Sequence, residues 1–182
     1  MKGKNRRAKH GLRPTSSRTR AAIISMLGPD GANGIAALDL YAGTGGVGFD
    51  LLDHGALYVD FVEIDRRRAA NISREIAKRG WDDRASTYRT DAIRVLRRLA
   101  GKSYDLVFAD PPYDIDPWEE IMGELHLQNL LNPDAWIIAE HSSRNTLPEQ
   151  LSGAKTISRK RYGDTSITIY KFTRSDETEI QR

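Results

Sequence analysis

Ile35-Ala36-Ala37-Leu38-Asp39-Leu40-Tyr41-Ala42-Gly43-Thr44-Gly45-Gly46-Val47-Gly48 sets the fold. Its first half is apolar apart from one acid and reads as a buried strand. The second half is a glycine turn, and Phe49, Leu51 and Leu52 continue beyond it as a helix. Strand, glycine turn and helix in that order open a βαβ unit. The Gly43-x-Gly45-x-x-Gly48 spacing is the one by which such a unit brings its backbone against a bound nucleotide.

Outward from this stretch the same alternation repeats. Residues 57–62, 85–89, 104–109 and 136–140 read as strands. Between them, Ala69, Ile72 and Ile76 give one helix an apolar stripe, and Ala92, Val95, Leu96 and Leu99 give the next. A helix over 117–130 carries Trp118, Ile121, Met122 and Leu125 at the same spacing. These stripes are core residues. Strands alternating with helices predict an α/β fold, a doubly wound and mostly parallel sheet covered on both faces. Residues 154–161 and 166–172 read as a closing antiparallel pair whose turn contains Gly163-Asp164, residues that suit a tight hairpin. The segment 162–165 is accordingly read as structural.

Open α/β sheets bind ligands at the carboxyl ends of their strands, and there this chain puts acids: Asp39, Glu63, Asp91 and Asp110. A dinucleotide would lay a pyrophosphate over the glycine turn, where Asp39 would repel it across a poorly screened gap. S-adenosylmethionine brings an ammonium and a sulfonium instead, so Asp39 favours it over a nicotinamide cofactor. Glu63 can hold ribose hydroxyls. Asp91 opens the next helix, where it can cap backbone donors and also meet an adenine amino group. Asp110-Pro111-Pro112-Tyr113 ends the strand 104–109. Its prolines fix φ and remove two backbone donors, leaving an acid and carbonyls to accept from an amine while Tyr113 stacks on its ring.

The blocks Asp39 to Gly48, Phe61-Val62-Glu63-Ile64-Asp65, Thr90-Asp91-Ala92 and Asp110 to Tyr113 stand in the order and spacing of a class I methyltransferase. Arg13-Pro14-Thr15 and Arg161-Tyr162-Gly163-Asp164-Thr165 narrow the resemblance. Together they are similar to the RsmD family of bacterial guanine-N2 methyltransferases that modify small-subunit (16S) ribosomal RNA. The resemblance runs from about Arg13 to Phe172. It implies a Rossmann-like seven-stranded sheet with a C-terminal antiparallel hairpin, S-adenosyl-L-methionine as cofactor and methyl transfer to the exocyclic N2 of a guanine. By resemblance, Asp39, Tyr41, Gly43, Gly45, Glu63, Ile64, Asp91, Ala92 and Asp110 hold the cofactor. Asp110, Pro111, Pro112 and Tyr113 are the catalytic loop, and Arg13, Arg18, Arg20 and Tyr113 meet the RNA. No metal is implied. The family commonly has a longer segment before the Arg-Pro-Thr stretch, and Ser17 and Ala21 stand where its members often carry acids. An amino-methyltransferase for another RNA or DNA base, and an inactive RNA-binding relative, remain alternatives.

Composition agrees with one compact domain over 13–173, a basic arm over 1–12 and a polar tail over 174–182. The 182 residues include no cysteine, and no apolar run is long enough to span a membrane. A cytoplasmic, metal-free monomer is expected. The formal charge is only +3, yet Lys2, Lys4, Arg6, Arg7, Lys9, Arg13, Arg18 and Arg20 all precede the first acid, Asp30. That block reads as an arm for ribosomal RNA, free or within an assembling small subunit. Thr15 or Ser16 is expected to cap the first helix. Arg18 and Arg20 then lie near its positive end, where an external anion would offset their unfavourable position.

Overall fold

A computed structural model describes residues 17–173, except the side chain of Arg18. The arm 1–12, Arg13, the cap at Thr15 or Ser16 and the tail 174–182 lie outside the described residues.

The elements alternate as the sequence predicts. Helix α1 (Ser17–Met26) precedes β1 (Ala36–Leu40), α2 (Gly46–Asp53), β2 (Tyr58–Val62), α3 (Arg66–Arg79), β3 (Ala85–Tyr88), α4 (Ala92–Leu96), β4 (Tyr104–Ala109), α5 (Trp118–Leu127) and β5 (Leu131–Ser142). Strands β6 (Gln150–Leu151), β7 (Ala154–Tyr162) and β8 (Thr165–Phe172) complete one sheet of order β3-β2-β1-β4-β5-β8-β7-β6. The first five strands are parallel, and β8, β7 and β6 are antiparallel to their neighbours. The order reverses between β1 and β4. A crevice therefore opens beyond their carboxyl ends, the place where such sheets take ligands.

Alternation along each strand divides the core. Leu38, Leu40, Val107, Ala109, Ile137 and Ala139 pack on one face with Val95 and Leu96 of α4 and Ile121 and Leu125 of α5. Ala37, Leu106, Phe108, Ile138 and Ile167 pack on the other with Ile23 of α1, Leu51 of α2 and Ile72 of α3. Asp39, two residues from Ala37, belongs to this second face. Buried polar groups interrupt the first: among them, Asp60 accepts from Lys102 Nζ at 2.7 Å and from the Tyr104 hydroxyl at 2.6 Å. The Lys102 ammonium also lies 4.5 Å from the centre of the Tyr58 ring.

Two boundaries differ from the sequence reading. Strand β5 starts at Leu131, not 136, because Leu131 pairs with Tyr104 before the register shifts around Asn132, Pro133 and Asp134. Asp134 takes a φ of 64°, so a stretch that reads as a turn is an irregularity inside a strand. The two-residue β6 makes eight strands instead of seven, and it covers only the first part of β7. Beyond it β7 has a register shift between Thr156 and Ser158 and carries exposed Arg159, Lys160 and Arg161. Among the described residues no helix is long and apolar enough to cross a membrane.

Gly48 is fixed by close packing. A Cβ there would lie 2.2 Å from the ring of Phe61, which is fully buried and packs against Phe49 at 5.0 Å between ring centres. Gly48→Ala is expected to cost roughly 1–3 kcal/mol, measured by urea unfolding, because rings and backbone must shift to admit the methyl. Gly123, in α5, has nothing within 4 Å of its Cβ position. Gly123→Ala in the same assay should be neutral or stabilising by up to about 1 kcal/mol.

Candidate active site

The glycine turn is tied down at both ends by buried acids. The Gly43 N–H donates to Glu63 Oε2 at 2.9 Å, and the Gly48 N–H donates to Asp39 Oδ2 at 3.0 Å. Just before Gly43 the Ala42 N–H reaches the Val62 carbonyl at 2.9 Å, and Gly45, at φ 79°, caps the start of α2. A Cβ on Gly45 would lie 2.7 Å from Phe49. The turn is thus a cradle that side chains would fill.

Asp39 and Glu63 differ in how far they are satisfied. Glu63 Oε1 accepts from the Asp65 N–H at 2.7 Å and from Arg68 at 2.8 Å, and with Gly43 on Oε2 the carboxylate keeps little capacity. Two ribose hydroxyls could replace Arg68 but not the backbone donors. Sequence reading missed Arg68, although an arginine one helical turn into α3 is placed to reach back to that acid. Asp39, 1% exposed, has no partner for Oδ1. Burial pushes its carboxyl up to about 7, and the charges of Asp110 and Glu63 add to the rise against the lowering by the Gly48 N–H. A buried, half-satisfied carboxylate suits a cationic ligand group and opposes a phosphate.

The remaining cofactor candidates surround this cradle. Tyr41 begins the turn at φ 58°, and its phenol is pushed up to about 12 by burial, with Asp91 and Glu120 adding to it. Ile64 is 65% exposed directly after Glu63, an apolar surface against which a flat ring could lie. Asp91 caps α4 by accepting from the Arg94 N–H at 3.1 Å, and Ala92 behind it is buried. The capping role read from sequence is present, and the exposed Asp91 side chain keeps a second oxygen for another donor.

Asp110 follows β4 next to Asp39 and Glu140, with both of which it interacts electrostatically. Tyr113 is 49% exposed and its hydroxyl meets Thr165 Oγ1 at 2.5 Å. The sequence reading gave the ring a stacking role, and this bond adds a structural role for the phenol. It ties the Asp-Pro-Pro-Tyr loop to the β7–β8 turn, which is itself held by the Ser143 N–H donating to the Asp164 carbonyl at 2.8 Å. Residues 162–165 are therefore both a hairpin turn and one wall of the site.

Arg20 has an internal partner in this fold. It pairs with Asp50 at 3.4 Å, and its Nη1 lies 3.5 Å from the Gly46 carbonyl, so α1 is clipped onto the glycine turn. His141, beside Glu140 in sequence, faces away: its ring bonds to Thr168 Oγ1 at 2.9 Å and to the Ser142 carbonyl at 3.0 Å.

A family model described as "Conserved hypothetical protein 95" matches residues 1–171. YlbH of Bacillus subtilis, provisionally named an rRNA methyltransferase, is 31% identical over 176 residues, covering 93% of this chain and 94% of that protein. Ribosomal RNA small subunit methyltransferase D of Escherichia coli K12 is 27% identical over 171 residues, covering 93% and 84%. Among solved structures, a conserved hypothetical protein of Streptococcus pyogenes superposes with a TM-score of 0.77 at 30% identity, covering 84% of this chain and 94% of that one.

The raised Asp39 has a consequence for stability. Unfolded, its carboxyl titrates in the ordinary range, and folded it titrates near 7, so between those values the folded state binds more protons. Stability contributed by the protonated form is lost as pH rises across that window. The ligand-free protein is expected to melt at a lower temperature at about pH 8 than at about pH 5.5, and Asp39→Asn should shrink the difference. Thermal melts of both proteins across pH check this; an equal drop in both would assign it elsewhere.

Proposed function

The chain belongs to the RsmD family, and from that footing we propose that it is an S-adenosylmethionine-dependent ribosomal RNA methyltransferase acting on the exocyclic N2 of a guanine in the small-subunit RNA. The observation that carries the reading is the adjacency of a cation-seeking cradle, Asp39 with its unpartnered Oδ1, and an amine-seeking loop, Asp110 to Tyr113, on neighbouring strand ends. The residues fit the cofactor. Asp39 would face its cationic methionine end, Gly43 and Gly45 allow close backbone approach, Glu63 would take the ribose, and Ile64 and Asp91 flank the adenine. Bound there, S-adenosylmethionine supplies an electrophilic methyl carbon on a sulfonium.

The chain's own residues supply position and electrostatics. A guanine N2 amine is a poor nucleophile because its lone pair is delocalised into the ring. Hydrogen bonds from its two N–H groups to the Asp110 carboxylate and the Pro111 carbonyl would localise that pair and fix its direction. On this arrangement the Asp110 carboxylate would also be a base within reach of the proton the methylated nitrogen must lose. Pro111 and Pro112 restrict the loop, and Tyr113 would support the face of a base taken out of its stack. On this reading residues 13–173 are the methyltransferase domain, 1–12 and 174–182 are its arm and tail, and Arg13 and Arg18 join Tyr113 on the RNA side. Arg20, engaged with Asp50, contributes mainly by holding α1 against the turn.

Methylated nucleotides should be mapped in small-subunit ribosomal RNA from cells with and without the protein. One N2-methylguanine that vanishes on deletion and returns with the purified enzyme is the expected result; a methylated adenine or cytosine would move the assignment to another base. Asp110→Ala should still fold and bind S-adenosylmethionine, yet lose single-turnover methyl transfer by a factor on the order of a hundred or more.

Tyr113→Ala should slow transfer more than Tyr113→Phe, because stacking needs the ring. The phenol bond to Thr165 makes a second expectation: Tyr113→Phe and Thr165→Val should show the same small defect, and the double variant no more than either alone. Additive losses in single-turnover assays would separate the two residues.

A further inference from the structure

One buried acid is unused by this account. Glu140 lies in β5, which runs parallel to β4 with Ala139 opposite Ala109. The next residues, Glu140 and Asp110, are therefore neighbours across adjacent strands. They share a face, since Phe108 and Ile138, two residues earlier, pack together in the same cluster as Ile167, the partner of Glu140 on β8. That is also the face of Asp39. Glu140 is 6% exposed, and its Oε2 is buried without a hydrogen-bond partner.

Among the described residues no cation pairs with Glu140. On β8 it meets Ile167, and on its own strand His141 points to the opposite face. From α1, Thr19, Ala22, Ile23 and Met26 line the groove beside Ile138 and Ile167, while Arg20 is turned to Asp50. Lys160 of β7 lines the outer part of that groove and makes no ion pair with Glu140 among the described residues. The charged group it senses is Asp110, an acid. Two carboxyls side by side in a poorly hydrated site do not both ionise; the pair keeps one proton.

Resting on the methyl-transfer reading, we propose that Glu140 is a positioning residue of the reaction centre, a carboxyl that shares a proton with Asp110 and so fixes the Asp110 carboxylate toward the amine nitrogen. At the start of a turnover the pair carries one proton, on Glu140, and one charge, on Asp110. The proton leaving the methylated nitrogen goes to Asp110, and the pair, now doubly protonated, returns one proton to water. The number of protons balances and no other acceptor is needed. Burial, with the charge of Asp110, pushes the Glu140 carboxyl up to about 8, which agrees with a proton retained at neutral pH.

Two measurements test this. In ligand-free protein labelled with 13C at its glutamate carboxyls, the Glu140 resonance, assigned by its loss in Glu140→Gln, should titrate far above the ordinary glutamate range and move down in Asp110→Asn. Titration in the ordinary range, or no change in Asp110→Asn, overturns the pair. In single-turnover transfer, Glu140→Ala should lose about tenfold or more near pH 7, and the neutral isostere Glu140→Gln should recover a large part of that loss. Wild type should decline above about pH 8 as the second carboxyl ionises, and Glu140→Gln should not. Equal damage from Gln and Ala, or superimposable pH profiles, overturns the positioning role while leaving the methyltransferase assignment intact. A wild-type protein that methylates no RNA would overturn that assignment instead, and the carboxyl titration would still decide the pair.

Discussion

Two backbone N–H groups, those of Gly43 and Gly48, end on buried carboxylates, and the architecture of the ligand crevice follows from that pair of bonds. A turn with so many glycines has high conformational freedom when unfolded and little side-chain packing to hold it when folded. Here the holding force comes from the strands beneath it: Asp39 at the end of β1 takes one end of the turn, and Glu63 beyond β2 takes the other. The arrangement works only if β1 and β2 are adjacent and in register, as they are, with Asp39 opposite Phe61. It also concentrates negative charge where the sheet order reverses. The same bonds that shape the crevice thus decide what it can admit. Asp39 spends one oxygen on the turn and leaves the other for a cation.

Much of this was legible in the chain. Apolar runs interrupted by a glycine turn gave β1 and α2, stripes gave α3 and α5, and acids at strand ends gave Asp39, Glu63, Asp91 and Asp110. Local chemistry governs those features, so local reading finds them. Strand β5 was cut short because Pro133 and Asp134 carry strong turn signals, and only pairing of Leu131 with Tyr104 overrides them. The two residues of β6 have no periodicity to detect. Arg20 with Asp50, Arg68 with Glu63 and Tyr113 with Thr165 were missed for a different reason. Each joins elements whose contact depends on the folded arrangement, and neither partner's sequence neighbourhood announces the other. The significance of Glu140 is similar, since a glutamate in an apolar strand signals nothing until the strand beside it is known to end in Asp110.

The two sheet faces carry different loads. Helices α4 and α5 cover a face whose buried polar groups are largely matched within the protein: Asp60 Oδ2 with Lys102 and Tyr104, and His141 with Thr168. Helices α1, α2 and α3 cover the face that holds Asp39 and Glu140 and supports Asp110. On that face satisfaction is incomplete, with single oxygens of Asp39 and Glu140 lacking partners. Unmet polar groups in a well-packed interior are costly, and those of Asp39 and Glu140 lie at the end of the sheet where a ligand can meet them.

Strand β7 has a bearing on how the molecule behaves in company. Among the described residues it forms the outer border of the sheet for most of its length, because β6 covers only Lys155 and Ala154. A long, flat border of unpaired backbone groups is a template on which a second chain can add a strand, the first step toward aggregation. This border is not flat: the register shift at Thr156–Ser158 distorts the ladder, Arg159 is paired with Glu149, and Lys160 and Arg161 stand exposed along it. A second copy of the protein would bring its own Lys160 and Arg161 against these. The register shift and these exposed cations make the border a poor template for an added strand.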